Sequence, residues 1–269
     1  MVTVQPVTSI VSDVLAGVPD AALAAKFQAL RETVRSLGRV VVAYSGGVDS
    51  AFLLAVAHRE LGEGALALTA VGASMAPGER EAARQVAVSI GARQVEVESH
   101  ELDDPRYAAN PVNRCYYCKT ELYDIARREA GKRGIPHVLS GTNADELGDY
   151  RPGLQAAREH AVRHPLAEAG LSKDEIRTLS RSMGLPTAEK PQTPCLASRL
   201  PYGTAVTRER LSQVDRAEQA VRAEGFKVFR VRHHEAIARL EVAADEWPRL
   251  LDAGIRARIQ QGVLAAGYT

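Results

Sequence analysis

Residues 39–58 place an apolar run, a turn of small residues and a second apolar run directly after one another. The first run, Val40 to Ala43, is short and β-branched, which is typical of a strand buried on both faces of a parallel sheet. The second run, Ala51 to Ala57, carries the apolar face of a helix. Because a buried strand leads through a short turn into a helix, the stretch predicts an α/β protein with a parallel sheet.

The turn between these runs has the composition of an anion site. Gly46 and Gly47 let the backbone approach a ligand closely and take positive φ. The first N–H groups of the next helix are unpaired, the helix dipole adds positive charge, and Ser45 and Ser50 add hydroxyl donors. No lysine stands where a Walker P-loop needs one. Asp49 would repel phosphate unless a cation joined them, which indicates Mg²⁺ with a pyrophosphate group.

Composition excludes several classes of protein. The chain has 269 residues, 45% of them hydrophobic and 25% charged, which is ordinary for a globular protein. The net charge of +1 gives no global field for nucleic acid or an acidic membrane. No apolar run approaches the ~20 residues that span a bilayer, and no signal peptide is recognisable. Three cysteines, two of them close together, favour a reducing cytoplasm and a metal or redox role over disulfides.

Hydrophobic periodicity predicts how the first part of the chain is organised. Strands alternate with helical patterns, which indicates βαβ units. The first residues, 1–20, are expected to form a loose arm. The remaining predicted elements are helices at 21–37 and 77–90 and strands at 65–71, 94–98 and 136–140.

Small residues follow two of these strands at their carboxyl ends, where open α/β sheets bind ligands. Gly72 comes directly after the second strand, and Gly141 and Thr142 come after the fourth. Because these ends share one edge of a parallel sheet, we expect Gly141 and Thr142 to face the same crevice as Ser45.

Two acids follow this second turn. Asp145 or Glu146 would hold Mg²⁺ together with Asp49. The alternative is that these residues only begin a helix, since Asn143 is a good N-cap and acids favour a first helical turn.

Near residue 165 the sequence changes character. Residues 172–175 form a capping box that begins a helix, and a proline-rich loop at 186–201 follows it. Later patterns predict helices at 207–224 and 247–258 and strands at 226–232 and 237–242. We therefore predict a first domain at 20–165 and a smaller α+β domain at 166–269.

Basic residues lie on one face of a strand in this second domain. Arg230 and Arg232 alternate with apolar residues, and two guanidinium groups on one face suit phosphate binding. Ser198 and Arg199 are candidates to join them. The alternative is an ordinary solvated strand face.

The cysteines offer a metal site. Cys115 and Cys118 share one face of a helix predicted from 110 to about 132, and Cys195 lies in the proline-rich loop. Three thiolates hold three irons of a [4Fe–4S] cluster and leave the fourth iron open. A zinc site with one histidine is the main alternative, and inert buried cysteines are another. The candidate histidines are His137, His160 and His164.

These motifs resemble a known family. The sequence Ser-Gly-Gly-Val-Asp-Ser at 45–50 resembles the pyrophosphate loop of the ATP pyrophosphatase (PP-loop) superfamily, whose members adenylate a substrate oxygen with ATP. The motif around Cys115, together with residues 140–146, 194–199 and 229–232, resembles the LarE family of ATP-dependent sulfur transferases. The resemblance covers residues 20 to 265.

The resemblance implies a function. LarE proteins adenylate the carboxylates of pyridinium-3,5-biscarboxylic acid mononucleotide and replace AMP with sulfur, as a step toward the nickel-pincer nucleotide of lactate racemase. One branch sacrifices a cysteine sulfur. Another binds a [4Fe–4S] cluster, and Cys115, Cys118 and Cys195 resemble that branch, which favours the cluster over zinc.

The resemblance also implies site roles. Ser198, Arg230 and Arg232 would hold the substrate phosphate, and Glu218 matches a position associated with metal binding, although it also fits an ordinary helix surface. Gly72 lies where the superfamily receives adenine and ribose. Family members form homo-oligomers, and we expect a small-molecule substrate with no nucleic acid or membrane partner.

Three alternative functions stay open from the sequence. A tRNA thiolase is disfavoured by the near-neutral charge. An ATP-dependent amide-forming synthetase would not need the cysteines. A zinc-stabilised nucleotide sensor would bind ATP without releasing pyrophosphate.

Overall fold

A computed structural model describes residues 20–148 and 151–269 of the chain. The predicted arm at 1–20 lies, except for Asp20, outside the described residues. The ten helices are α1 (Ala21–Leu37), α2 (Val48–Leu61), α3 (Pro77–Ile90), α4 (Pro105–Ala108), α5 (Arg114–Lys132), α6 (Pro152–Glu159), α7 (Pro165–Glu168), α8 (Lys173–Ser182), α9 (Arg208–Ala223) and α10 (Ala253–Ala265), counted over the described ranges. The strands there are β1 (Val40–Ala43), β2 (Ala65–Val71), β3 (Arg93–Glu98), β4 (His137–Ser140), β5 (Phe229–His234) and β6 (Ile237–Val242).

The chain divides into two compact units, each built from several segments. Of the described residues, the first unit contains 20–71, 77–99, 118–148 and 151–190. The second contains residues 72–76, 100–117 and 191–269. The domain boundary after residue 165 stays a prediction.

The first unit contains a parallel sheet with the strand order β3-β2-β1-β4. In the centre of the sheet, Val42 pairs with Ala67 on one side and with Leu139 on the other. Val40, Val41 and Val42 are fully buried, as a strand covered on both faces must be. The predicted α/β class with a parallel sheet is therefore confirmed.

The helix boundaries of the first unit follow from local signals. Asp20 caps α1 by accepting a hydrogen bond from the N–H of Ala22 at 2.9 Å. The predicted capping box begins α8: the N–H of Glu175 donates to the Ser172 hydroxyl (3.3 Å), and the N–H of Ser172 donates to the Glu175 carboxylate (2.8 Å). None of the described helices is long and apolar enough to cross a membrane.

The second unit pairs β5 with β6 in an antiparallel hairpin. Helices α9 and α10 pack closely, since a Cβ built on Gly262 would lie 2.3 Å from the Cβ of Ala220. The buried core beside them includes Val221, Phe226 and Val231.

Three predicted boundaries in or next to this unit were wrong. The strand predicted at 226–232 begins only at Phe229. The helix predicted at 247–258 is instead a 3₁₀ turn, Ala244–Leu251, followed by α10, because Pro248 lacks an N–H and Asp252 caps a new helix. The helix predicted from 110 begins at Arg114.

Candidate active site

The glycine-rich turn joins β1 to α2 in the first unit, and its own hydroxyl groups hold its shape. The Ser45 N–H donates to the Ser50 hydroxyl, and that hydroxyl donates to the carbonyl of Gly47, each at 3.2 Å. Gly47 is the N-cap of α2 and gives it no side-chain cap. The first N–H groups of α2 are therefore left for a ligand.

Two glycines are required here for steric reasons. Gly46 has φ of 73°, and a Cβ on it would lie 2.6 Å from the Cβ of Ala83. A Cβ on Gly141 would lie 2.9 Å from the backbone nitrogen of Ser50. The turn after β4 therefore presses against the start of α2 and places Gly141 beside the turn, while the role of Gly141 with the nucleotide stays a prediction.

Asp49 lies at the centre of a polar cluster. Its carboxylate accepts a hydrogen bond from the Asn143 amide at 3.3 Å and forms an ion pair with the Lys173 ammonium. The backbone N–H of Lys173 in turn donates to the Asp145 carboxylate at 2.8 Å. Asn143 also caps the 3₁₀ turn that contains Asp145, with a 3.1 Å bond from the Asp145 N–H. Asn143 therefore caps the 3₁₀ turn and contacts Asp49 at the same time.

Glu146 adds a third carboxylate to the surroundings of Asp49. Burial raises the pKa of Glu146, the nearby Arg151 lowers it, and the charge of Asp49 raises it again. Glu146 and Arg151 form an ion pair at 3.2 Å. A carboxyl whose charge is disfavoured by burial gains from a bound cation.

A second lysine approaches the turn from the end of the first unit. The Lys190 ammonium donates to the carbonyl of Gly46 at 3.2 Å and pairs with the Glu79 carboxylate at 2.7 Å. Lys173 and Lys190 thus bring two cations to the turn. Neither was predicted from the sequence, because no spacing relative to the turn marks a lysine more than a hundred residues away. One feature of the sequence marks Lys173, which is its position within the capping box at 172–175.

In the second unit, Glu218 is fully engaged by protein donors. Arg199 donates to its carboxylate through Nε (2.7 Å) and Nη2 (3.2 Å), and the Val231 N–H adds a third bond at 3.1 Å. Metal binding by Glu218 would require these donors to move, and this role stays a prediction.

The structure gives Arg230 and Arg232 different surroundings. The Arg232 guanidinium donates to the Glu241 carboxylate and to the Ser198 carbonyl, both at 2.9 Å. Arg230 lines a cavity of about 220 Å³ in the second unit. Further cations that line this cavity are Arg222 and Lys227.

All three cysteines are thiols outside any disulfide, and Cys115 and Cys195 are exposed. Burial raises the pKa of the Cys195 thiol, Arg114 lowers it, and Cys115 and Glu101 raise it. Cys195 keeps exposed surface, so the raised pKa reflects dense protein around the thiol and not complete enclosure. Among the described residues no group of three His, Cys, Asp or Glu side chains is arranged as a metal site.

The predicted ligands fall into both units. Cys115 and Cys195 belong to the second, and Cys118 belongs to the first. Gly72 also belongs to the second unit, directly after β2, so its role with the nucleotide stays a prediction. Thr142 is buried in the first unit beside Ser140.

The candidate zinc-ligating histidines are all in the first unit. His160 contacts the Asp124 carboxylate at 3.0 Å and the Ala156 carbonyl at 2.8 Å. Burial lowers the pKa of His164. His137 is the first residue of β4.

The asparagine synthase family matches residues 27–239, which is more than half of the chain. The fold and the turn at 45–50 thus define a PP-loop protein that uses ATP, and the chain belongs to this family. A pyridinium-3,5-bisthiocarboxylic acid mononucleotide synthase from Lactiplantibacillus plantarum is 35% identical over 82% of this chain and 81% of its own. That relative confirms the predicted membership of the LarE family.

Two further relatives match the chain, one at a higher identity and one at a lower identity. A Synechocystis protein of uncharacterised function, slr1717, is 45% identical over 83% of this chain and 84% of its own. One of the subunits of a glutamine-hydrolysing GMP synthase from Methanosphaerula palustris is 28% identical over 71% of this chain and 66% of its own.

Proposed function

We propose that this protein uses ATP to adenylate the carboxylates of pyridinium-3,5-biscarboxylic acid mononucleotide and then replaces AMP with sulfur. The products are the thiocarboxylates of the nickel-pincer nucleotide. The observation that carries the proposal is the turn at 45–50, with free N–H groups, Asp49 and two lysines gathered around it. Similarity to the Lactiplantibacillus plantarum synthase supports the choice of substrate.

In the first step, a carboxylate oxygen of the substrate attacks the α-phosphorus of ATP, and the bond to pyrophosphate breaks. Negative charge grows on the departing pyrophosphate. The N–H groups at the start of α2 would donate to it, and the Lys173 and Lys190 ammonium groups would offset its charge. Both ammonium groups are already held beside the turn by Asp49 and Glu79.

The residues around the turn suit Mg²⁺, which prefers carboxylate oxygens together with substrate phosphates. Asp49 and Asp145 both contact Lys173, and burial disfavours the charge of Glu146. Asp49 and Asp145 would hold the ion, and it would screen the charge of the pyrophosphate.

In the second step, a sulfur nucleophile attacks the acyl carbon, a C–S bond forms, and the C–O bond to AMP breaks. Cys115, Cys118 and Cys195 would hold a [4Fe–4S] cluster through their thiolates, and three thiols outside any disulfide suit this group. When bound, the cluster would present the sulfur. The chain's own task is then to keep Cys115 and Cys195 accessible, and both are exposed.

The substrate phosphate would bind in the second unit through Ser198, Arg230 and Arg232. Arg230 lines the cavity of about 220 Å³ together with Arg222 and Lys227. The carboxylates that also line it, Glu218 and Glu241, are paired with Arg199 and Arg232. Arg232 already holds the Ser198 carbonyl, which orients that residue. The resemblance further implies a homo-oligomer, which light scattering in solution tests.

The GMP synthase relative makes an amide-forming reaction the second candidate. The same adenylate would then be attacked by ammonia, and the cysteines would be dispensable.

The test incubates anaerobically purified protein with ATP, Mg²⁺ and the pyridinium substrate, and measures pyrophosphate release and product mass. We expect pyrophosphate and a product in which sulfur replaces a carboxylate oxygen. The triple replacement of Cys115, Cys118 and Cys195 by Ser should still release pyrophosphate but yield no sulfur-containing product. An amide formed with ammonia by both proteins would establish the second candidate, and no pyrophosphate release would refute both.

A further inference from the structure

Two segments of the second unit, residues 108–115 and 195–206, each contain one cysteine and are joined by hydrogen bonds that belong to no helix or sheet ladder. The two cysteines are Cys115 and Cys195, which are 80 positions apart in the sequence. The backbone bonds that join the segments run from the Gly203 N–H to the Asn110 carbonyl (2.9 Å) and from the Val206 N–H to the Ala108 carbonyl (2.8 Å).

Asn110 is the main residue of this connection. It is fully buried and has a φ of 54°, a conformation that residues other than glycine rarely adopt and that asparagine tolerates best. Its side-chain amide donates to the carbonyls of Pro201 (2.7 Å) and Thr204 (2.9 Å). Such backbone strain persists only where the surroundings fix the residue firmly.

Arg114 extends the connection to the residues around Cys195. Its side chain is 4% exposed, and Nη1 donates both to the Asn110 amide oxygen and to the Ala197 carbonyl, the latter at 2.9 Å. Within the described part of the chain, no aspartate or glutamate oxygen lies within 4.0 Å of this guanidinium. Its two hydrogen bonds go to neutral oxygens, one in each segment, so this side chain joins Asn110 to the residues around Cys195.

Both cysteines lie next to the residues that Arg114 joins. Cys115 is its neighbour in the chain, and Cys195 lies two residues before Ala197. Besides burial, which raises the pKa of the Cys195 thiol most, Arg114 lowers it and Cys115 and Glu101 raise it, so Arg114, Cys115 and Glu101 all lie near this thiol.

We propose that Arg114, held by Asn110, is the positioning residue that fixes the segment of Cys115 against the segment of Cys195. The inference rests on the proposed role of these cysteines in sulfur transfer. Because the chain's own hydrogen bonds make this arrangement, we expect the two cysteines to be held near each other before any ligand binds.

The test uses the full chain with Cys118→Ser, so that two thiols remain, in the absence of ATP and substrate. The probe is dibromobimane, which becomes fluorescent when one molecule bridges two thiols. Alkylation by iodoacetamide, measured in parallel, gives the reactivity of each thiol alone. The ratio of bridging to single alkylation reports the positioning and not the stability of the fold.

We expect rapid bridging in the parent and a loss of at least about tenfold in that ratio in Arg114→Met, since small misplacements of reacting groups are costly. Asn110→Gly, which accepts the positive φ but lacks the amide, should also lose it. Arg210→Met is the matched control, because Arg210 donates to the Ala205 carbonyl of the same loop at 2.8 Å, and it should keep the parental ratio.

Absence of bridging in the parent would overturn the proposal. So would parental ratios in both Arg114→Met and Asn110→Gly, or an equal loss in Arg210→Met. If Arg114→Met does not fold, as circular dichroism would show, Asn110→Gly decides alone. Failure of pyrophosphate release would refute the proposed function and leave this result unchanged.

Discussion

Asp49 in the first unit and Glu218 in the second are both carboxylates paired with one basic side chain, but their surroundings are opposite. The side chains of Asp49 and Lys173 keep 20% and 19% of their surface exposed. Those of Glu218 and Arg199 keep only 4% and 2%. The first pair is open to a ligand, and the second is closed.

Their hydrogen bonds differ in the same direction. Besides Lys173, Asp49 accepts one long bond from Asn143, at 3.3 Å. Glu218 accepts two bonds from Arg199 and one from the backbone of Val231. An ion pair at an open site can exchange one partner for a ligand, whereas a saturated buried pair supports the fold. Single substitutions in the two units test whether the open pair serves a ligand and the closed pair supports the fold.

The largest effect should come from Glu218→Gln. The change leaves the Arg199 guanidinium buried without a counter-charge, which costs about 3–5 kcal/mol of unfolding free energy. Urea unfolding followed by circular dichroism measures it. Glu224→Gln is the control, because Glu224 pairs with Arg258 at the surface and its loss should change the midpoint little. An unchanged urea midpoint in Glu218→Gln would show that the buried pair does not support the fold. Glu218 would then be available to bind a metal.

The next effect should be catalytic. Asp49→Asn keeps the size of the side chain but removes the charge that holds Lys173 and the proposed Mg²⁺. Pyrophosphate release should fall by about 10²–10³-fold, as expected when an electrostatic group at a reacting centre is lost, while urea stability changes little. Asp174→Asn, in the exposed first turn of α8, is the control and should retain full activity. Retained pyrophosphate release in Asp49→Asn would remove Asp49 from the active site.

A smaller effect is expected where the turn after β4 meets α2. In Gly141→Ala the new methyl group would lie 2.9–3.1 Å from backbone atoms of Asp49 and Ser50, which cannot rotate away. We expect a loss of about 1–3 kcal/mol in stability, typical of overpacking, together with reduced pyrophosphate release.

Gly131→Ala is the matched control for this change. Gly131 lies in α5, and nothing stands within 4 Å of its added methyl group. It should stabilise the protein by about 0.4–1 kcal/mol. Equal behaviour of the two alanine variants would mean that the contact between Gly141 and Ser50 is unimportant.

The fold of the first unit was largely predictable, because its signals are local. The buried run at 65–71 became β2 with the same bounds, and the capping box at 172–175 begins α8. In both places, periodicity and a side-chain cap act within a few residues. In the second unit, Pro248 shows the limit of prediction from periodicity. Its missing N–H makes the start of a predicted helix a 3₁₀ turn.

The site was only partly predictable, because its partners meet through the fold. The turn at 45–50 is visible as one motif, whereas Lys190 reaches Gly46 from 144 positions away. The sequence predicts Arg199 as a candidate for phosphate binding, but the structure pairs it with Glu218, 19 positions along the chain. Sequence patterns identify what a residue can bind, but not which protein group already occupies it.

The smallest effect concerns pH and a second buried group of the second unit. His233 is 3% exposed, its Nδ1 lies 3.1 Å from the Tyr268 hydroxyl, and its Nε2 has no hydrogen-bond partner among the described residues. Burial lowers the pKa of His233, and the nearby Arg210 lowers it further. The unfolded chain therefore binds a proton more readily, near pH 6.5, than the folded protein does.

The contribution of His233 to stability is complete above about pH 6.5 and is lost as the pH falls from there toward its folded-state pKa. Urea midpoints measured between pH 8 and pH 5 should therefore decline less in His233→Phe than in the parent, whereas His234→Gln, at an exposed position, should follow the parent. Parallel declines in the parent and His233→Phe would show that protonation of this buried histidine does not limit stability. The pH dependence of stability in the second unit, which also contains the closed Glu218–Arg199 pair, would then come from other groups.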